Sequence, residues 1–257
     1  MDTYLPSLAQ TFWRWLELIG LDPEELYRAH GIDPATLSDR GKRIPSERVE
    51  PMVREIQDRL PDSCAGLRAA RCWHPSDLGA LGHAWLASSS LRSALERFVR
   101  YRKLLGGLTK YDLVETAEGV KVTVHQKRED SALEALAADY GMSMLLDMCR
   151  FNYGDALTPS LVTLRRAEPD CSEAYHRFYG CEVEFSAPDD SFTLRHRDVD
   201  RLLPTSNKQL AGMHDRVLLE QIAELDKQDV VARCKAFILD RLSVGEVSVE
   251  DAADALH

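Results

Sequence analysis

The sequence predicts an α+β protein: an N-terminal helical array, then a small mixed or antiparallel sheet with helices, then C-terminal linker helices. Three observations carry this. Helix-start signals crowd the N-terminal part of the chain. The hydrophobic period changes from helical to alternating near residue 111. Beyond that point the patterns run strand, strand, helix, strand, helix, strand, strand, a mixed order that beside a helical block indicates α+β architecture.

Residues 5–30 hold two helical patterns broken at Gly20-Leu21-Asp22-Pro23, where Asp22 caps and Pro23 takes the first helical position. The signal recurs at Gly31-Ile32-Asp33-Pro34, so two short helices follow in tandem. Pro45 and Ser46 open another helix through Leu60, which Pro61-Asp62-Ser63 closes. Pro75 to Gly82 is a turn into the apolar segment His83-Ala84-Trp85-Leu86-Ala87. Ser90 caps a helix over 91–105 with Leu91, Ala94, Leu95, Phe98 and Leu105 on one face. Arg92, Arg97, Arg100 and Lys103 lie largely opposite and read as a solvated basic face, with an anion or partner site as the alternative.

Tyr111–Thr116 and Val120–Gln126 alternate around Ala117-Glu118-Gly119 and form an antiparallel hairpin. Val120, Val122 and Val124 share one face; Lys121, Thr123 and His125 share the other. A long helix follows over about 131–153, with Leu133, Leu136, Tyr140, Met144, Met148 and Phe151 as its inner stripe. Leu161–Leu164 is a short strand. Asp170 and Glu173 form a capping box for a helix that carries Tyr175, Phe178 and Tyr179 and ends at Gly180. Cys181, Val183 and Phe185 alternate as a strand. Pro188-Asp189-Asp190 turns the chain into a last strand, Ser191–Arg195, with Phe192 and Leu194 on one side.

Residues 198–208 are a connector, and a helix of about 206–226 follows as a linker, a dimerisation helix or both. Val230–Leu242 has a strong apolar stripe. Ser248 then caps a short helix whose first turn holds Glu250 and Asp251, where the helix dipole favours acids. A short small-residue helix after a longer amphipathic one is how a helix-turn-helix begins.

The 257 residues carry a net charge of -10 and are 44% hydrophobic, an ordinary soluble balance. DNA-binding chains usually carry a basic footprint, which is missing here overall. With no apolar run near membrane length and no signal-peptide pattern, a cytoplasmic location is expected. The six cysteines show no repeating spacing and are expected to be reduced, partly buried thiols. Cys72, His74 and His83, with Trp73 and Trp85 between them, are the densest cluster, yet their spacing fits no standard zinc pattern. No metal or cofactor is expected. Nucleophile-elbow, zincin and phosphate-loop motifs are absent, so no catalytic residues are assigned and no enzyme is expected.

Three stretches together resemble the AraC/XylS family of bacterial transcription regulators. They are HPSDLGALGHAWLASSSLRSALERFVRYRKLL (74–105), FYGCEVEFSAPDDSFTLRHRDVDRLLPTSN (178–207) and SVEDAADALH (248–257). Their order and separation are similar to the subgroup that includes regulators of ornithine or arginine use and a mycobacterial virulence regulator. The helical first hundred residues do not resemble the arabinose-sensing β-barrel of the family's namesake. The resemblance implies an effector-binding regulatory domain over 1–205, helical over 1–108 and α+β over 109–205. A linker or dimerisation helix over 206–227 would follow, then the start of a truncated helix-turn-helix domain over 228–257. It implies a small-molecule effector, a homodimer, and promoter DNA bound through a C-terminal domain mostly missing here.

The effector is expected in an apolar pocket between the long helix, the sheet and Trp73 or Trp85. Tyr140, Met144 and Phe151 would line it, and His83, Arg100 or Tyr101 would supply a polar anchor. A haem- or gas-binding sensor module is the main alternative, and a small-molecule enzyme a further one.

Overall fold

A computed structural model describes residues 3–39, 42–106, 109–126 and 131–228. The expected helix over Val230–Leu242 and the Ser248–His257 unit lie outside the described residues, as does the side chain of Leu133.

The chain opens with β1 (Thr3–Tyr4), which pairs antiparallel with β2 (Ile44–Pro45). Between and after them run α1 (Pro6–Leu18), α2 (Pro23–Ala29), a 3-10 helix (Pro34–Ser38) and α3 (Ser46–Asp58). Both repeated start signals act as caps. The Asp22 carboxylate accepts from the Glu24 and Glu25 amides at 2.9 and 3.2 Å, and Asp33 accepts from Ala35 at 3.0 Å. The second signal leads only to a 3-10 turn. There the Thr36 hydroxyl donates back to the Asp33 carbonyl, a local bond that competes with helix propagation. Trp15, Leu26, Tyr27, Met52 and Ile56 form the core of this array.

The next segment contains 3-10 helices at Ala65–Arg71 and Pro75–Leu78, then α4 (Ala80–Leu86), α5 (Leu91–Tyr101) and a 3-10 turn at Arg102–Leu104. The apolar face of α5 is buried as its periodicity requires. Its basic face is not simply solvated. Arg92 pairs with Glu115 and Asp200, Arg97 with Asp215 at 3.0 Å, and Lys103 with Asp226; Arg100 and Lys103 are exposed.

Five strands make one sheet in the order β3-β4-β7-β5-β6. They are β3 (Thr109–Glu115), β4 (Gly119–Gln126), β5 (Leu161–Leu164), β6 (Val183–Phe185) and β7 (Asp190–Arg195). The β3–β4 hairpin is antiparallel, β7 inserts antiparallel between β4 and β5, and β5–β6 is parallel. Val120, Val122, Val162, Phe192 and Leu194 bury the inner face.

α6 (Ser131–Tyr153) runs between the helical array and this sheet. It is therefore buried on more than one stripe, through Leu136, Met142, Leu145, Leu146 and Met148, as a helix enclosed by partners must be. Phe151 departs from the expected inner stripe. It is 61% exposed at the last turn and meets the edge of Trp73.

α7 (Ser172–Tyr179) ends, as expected, at Gly180 in the left-handed conformation, but its expected capping box does not form. The helix starts at Ser172 with Cys171 as its cap residue, and Glu173 instead lies 3.5 Å from Arg177. Cys171 is bonded to Cys64 in a disulfide, with Cα atoms 6.3 Å apart, so these two are not the reduced thiols expected. Among the described cysteines Cys72 and Cys149 are free and buried, and Cys181 is free and half-buried.

After α8 (His196–Val199), the connector is held by backbone bonds from Leu203 to Ser89 and from Asn207 to Ala87. The Asn207 side chain caps α9 (Lys208–Gln228) by accepting from the Leu210 amide at 2.9 Å. α9 packs along α4 through buried Ala211 and Leu218. No helix among the described residues is long and apolar enough to cross a membrane.

Candidate effector cavity

A cavity of about 160 Å³ opens where the helical array meets α6 and the hairpin. α1 contributes Leu8 and Phe12, and α3 contributes Val49, Met52 and Val53. Leu136, Tyr140 and Met144 come from α6, and Thr109 and Tyr111 from β3. Arg102, Leu105 and Gly106 close one side. The aromatic rings are set by one another. Tyr140 lies 5.5 Å from Trp15 edge-on and 5.7 Å from Phe12, and Phe98 meets Tyr111 edge-on at 5.1 Å. The Tyr111 hydroxyl rests against Gly141, where any Cβ would collide with it, so this glycine lets β3 close on α6.

Burial pushes the phenols of Tyr27, Tyr111 and Tyr140 up, so they face the cavity as neutral groups. Arg102 is the one charged side chain among the described lining residues, and none of them is acidic. Its guanidinium donates to the Thr109 hydroxyl at 3.2 Å and lies 5.5 Å over the Tyr111 ring.

A second hollow, about 650 Å³, lies beneath α9. It is more polar, with Arg43, His83, His214, Gln221 and Glu224 on its walls. His83 of α4 and His214 of α9 stack at 5.4 Å. Leu105 belongs to the walls of both hollows.

On the far side of α6, Asp139 is buried. It accepts from the Tyr175 hydroxyl at 2.6 Å and from Arg166 at 2.7 Å. Burial pushes its carboxyl up to about 7 against the pull of Arg166.

Of the residues expected at the effector site, Tyr140 and Met144 line the first cavity. The others sit elsewhere. Trp85 is core, donating to the Met148 carbonyl at 3.0 Å, and Tyr101 belongs to the same core. Trp73 donates to Asp147 at 2.7 Å and covers Phe151 outside the cavity. His83 faces the hollow under α9, and Arg100 lies in a shallow exposed depression with Asp112. Arg102, Tyr111, Phe12 and Met52 were missed. Arg102 stands in a basic run that looks uniform, and only the change from α-helix to 3-10 turn at this residue separates it from its neighbours.

Cys72, His74 and His83 do not make a ligand set. The Cys72 thiol donates to the Arg68 carbonyl, and His74 Nδ1 accepts from the Ser76 amide. Among the described residues the group with ligand atoms within 4.8 Å of one another is Asp62, Cys64 and Cys171, whose sulfurs are joined in the disulfide.

A family profile described as the arabinose-binding domain of AraC transcription regulators, at their N-terminus, matches residues 20–203. The chain belongs to this family. The AraC-type match spans α2 to α8, and so includes the α3, α6 and hairpin walls of the cavity. The ornithine utilization regulator of Pseudomonas aeruginosa is 22% identical over 240 residues, which are 93% of this chain and 70% of that protein. The crystal structure of transcriptional regulator CdpR from Pseudomonas aeruginosa has the same fold. Its TM-score is 0.60 at 16% identity, over 96% of this chain and 75% of that one.

Proposed function

We propose that this chain is the sensing part of an AraC-type transcription regulator, not an enzyme. A small effector occupies the 160 Å³ cavity, and its presence changes how α9 is held. α9 then acts as linker and dimerisation helix between a regulatory domain over 1–205 and a DNA-binding domain that begins near 228. One observation carries this reading. Arg102 and Leu105 line the cavity, while Lys103 between them grips Asp226 of α9 and Leu105 also walls the hollow beneath it. An effector that binds the two positions of α9 unequally shifts their balance, and only by that difference in affinity. The exposed row Leu210, Met213 and Val217 on α9 supports pairing with a second copy.

The cavity argues against a haem, which is too large for it, and its described lining residues offer no nucleophile beside a base.

Hydrogen exchange of α9, measured with and without a bound effector, tests the coupling. Effector binding is expected to change protection of residues 208–228 in the unaltered chain, and Lys103→Ala to alter both that change and the apparent effector affinity, because the two are reciprocally linked. Equal protection of α9 with and without bound effector would refute the proposal.

A further inference from the structure

We infer that Cys64 and Cys171 form a thiol–disulfide exchange site for low-molecular-weight thiols and their disulfides, and that its state sets the α6 wall of the cavity. The consequence for sensing rests on the cavity being the effector site; the exchange itself does not.

Need is the first ground. A chain of 257 residues buries enough surface to fold without a staple. Transcription regulators act on DNA, and in the compartments that hold DNA a disulfide is usually transient and redox-sensing. Access is the second. Cys171 is half-buried ahead of α7, whereas Cys64 is 5% exposed. An incoming thiolate therefore meets the Cys171 sulfur and expels Cys64. The reduced state is the third. Cys64 Sγ lies 3.2 Å from the Cys171 carbonyl oxygen, so the freed thiol has an acceptor in place. Burial pushes the thiols of Cys72, Cys149 and Cys181 up, which keeps them protonated and poor competitors.

The exchange balances with glutathione as the co-reactant. In the oxidising direction the Cys171 thiolate attacks one sulfur of oxidised glutathione and expels one glutathione thiolate. The Cys64 thiolate then attacks the Cys171 sulfur of the mixed disulfide, closes the Cys64–Cys171 bond and expels the second. Two electrons pass from the protein thiols to the glutathione disulfide, and the two thiol protons go to the expelled thiolates. Reduced glutathione drives the same steps backwards.

The pair sits on the seam that positions α6. Arg166 donates to the Ser63 carbonyl at 2.9 Å, next to Cys64, and to Asp139 of α6 at 2.7 Å. Tyr175 of α7 donates to the same carboxylate at 2.6 Å. Just beyond Cys64, Gly66 packs against α6, where a Cβ would stand 3.3 Å from the Tyr140 amide nitrogen and 3.4 Å from the Leu136 side chain. Leu136 and Tyr140 both line the cavity. Opening the bond therefore loosens α7 and the stretch around Gly66 together, and with them this wall.

The test equilibrates the 257-residue chain across a series of reduced-to-oxidised glutathione ratios. A chelator is present, because the freed sulfurs and Asp62 offer a stray metal three ligand atoms within 4.8 Å of one another. Thiols are trapped with iodoacetamide and located by peptide mass. The Cys64–Cys171 bond is expected to open and reclose reversibly while the melt stays cooperative, with Cys72 and Cys149 unmodified. Reduction should speed hydrogen exchange along α7 and over residues 136–144 about tenfold, which corresponds to about 1.4 kcal/mol of local stability. In Cys64→Ser, glutathione should be captured at Cys171; in Cys171→Ser, Cys64 should capture little.

A bond that stays closed across the series in the folded chain and opens only on unfolding is a structural staple, and overturns the proposal. So does a reduced pair that oxidised glutathione fails to rejoin. Capture at Cys64 but not at Cys171 overturns the order of attack. Reversible exchange with no change over residues 136–144 overturns the link to the cavity. None of these readings uses an effector, so the effector assignment stands or falls separately.

Discussion

α6 faces one neighbour across a locked seam, whereas α9 meets the body across an adjustable one. On the α6 side, Gly66 packs so closely that a Cβ there would stand 2.6 Å from the Asp139 Cβ. Asp139 is held by Arg166 and Tyr175, and the disulfide from Cys64 to Cys171 ties α7 to the same place. On the α9 side the joint is made by Arg97–Asp215, Lys103–Asp226 and a few apolar contacts around an open hollow. The difference gives a direction to any change in the cavity. In the proposed reading the close-packed α6 seam resists displacement, and the 102–105 turn is the route toward α9.

The comparison can be broken most forcefully at Arg166. Arg166→Met leaves Asp139 buried without its cation and is expected to cost about 3–5 kcal/mol in mildly alkaline buffer, measured by urea unfolding. A loss below about 1 kcal/mol would mean that the seam is not held there. Next is the disulfide. Reducing it, or replacing Cys64 by Ser, should lower stability by about 2–4 kcal/mol, since the bond closes a long loop. An unfolding midpoint indifferent to reductant would show that the two sulfurs are not joined in solution.

A third effect depends on pH. The Asp139 carboxyl titrates near 7 in the folded chain, raised from an ordinary value near 3.8. The folded state therefore binds the extra proton between these values. The contribution is fully present below the ordinary value and is lost as pH rises through about 7. Relative to Asp139→Asn, the unaltered protein should lose stability across that window, with a slope of at most about 1.4 kcal/mol per pH unit. Parallel stability curves for the two proteins would contradict it.

The smallest global effect belongs to α9. Asp215→Asn with Asp226→Asn should cost no more than about 1 kcal/mol, because both ion pairs keep contact with water. Yet the same change should speed hydrogen exchange along α9 while α6 stays protected. If both helices respond alike, the two seams are not different in kind.

Local elements were legible because their signals are local. Alternation at Val120, Val122 and Val124 located β4, and the long helix fell at 131–153 as its spacing required. Asp22 and Asp33 capped the turns they start. What escaped depends on partners far along the chain. Arg92, Arg97 and Lys103 form a basic face in isolation, and only the arrival of Glu115, Asp200, Asp215 and Asp226 makes it a clasp. Cys64 and Cys171 are 107 residues apart, and no spacing rule joins them. The cavity was half legible. Tyr140 and Met144 stood on a readable stripe, whereas Phe12 and Met52 reach the site only because α1 and α3 fold back over α6. Trp85 was expected as a wall of the pocket and Tyr101 as a possible polar anchor, and both are core.

The strand order carries a consequence in time. β4 pairs along its length with β7, from Gly119 with Arg195 to Val124 with Asp190, so the hairpin waits for a stretch of chain made much later. The helical array closes on contacts near in sequence and can form while synthesis continues, whereas such distant pairings are slow to find. Until β7 arrives, one edge of β4 lies bare, and an open strand edge invites pairing with another chain. The newborn protein therefore has its most vulnerable interval between the emergence of residue 126 and that of residue 195, an interval a chaperone or a low expression temperature would protect.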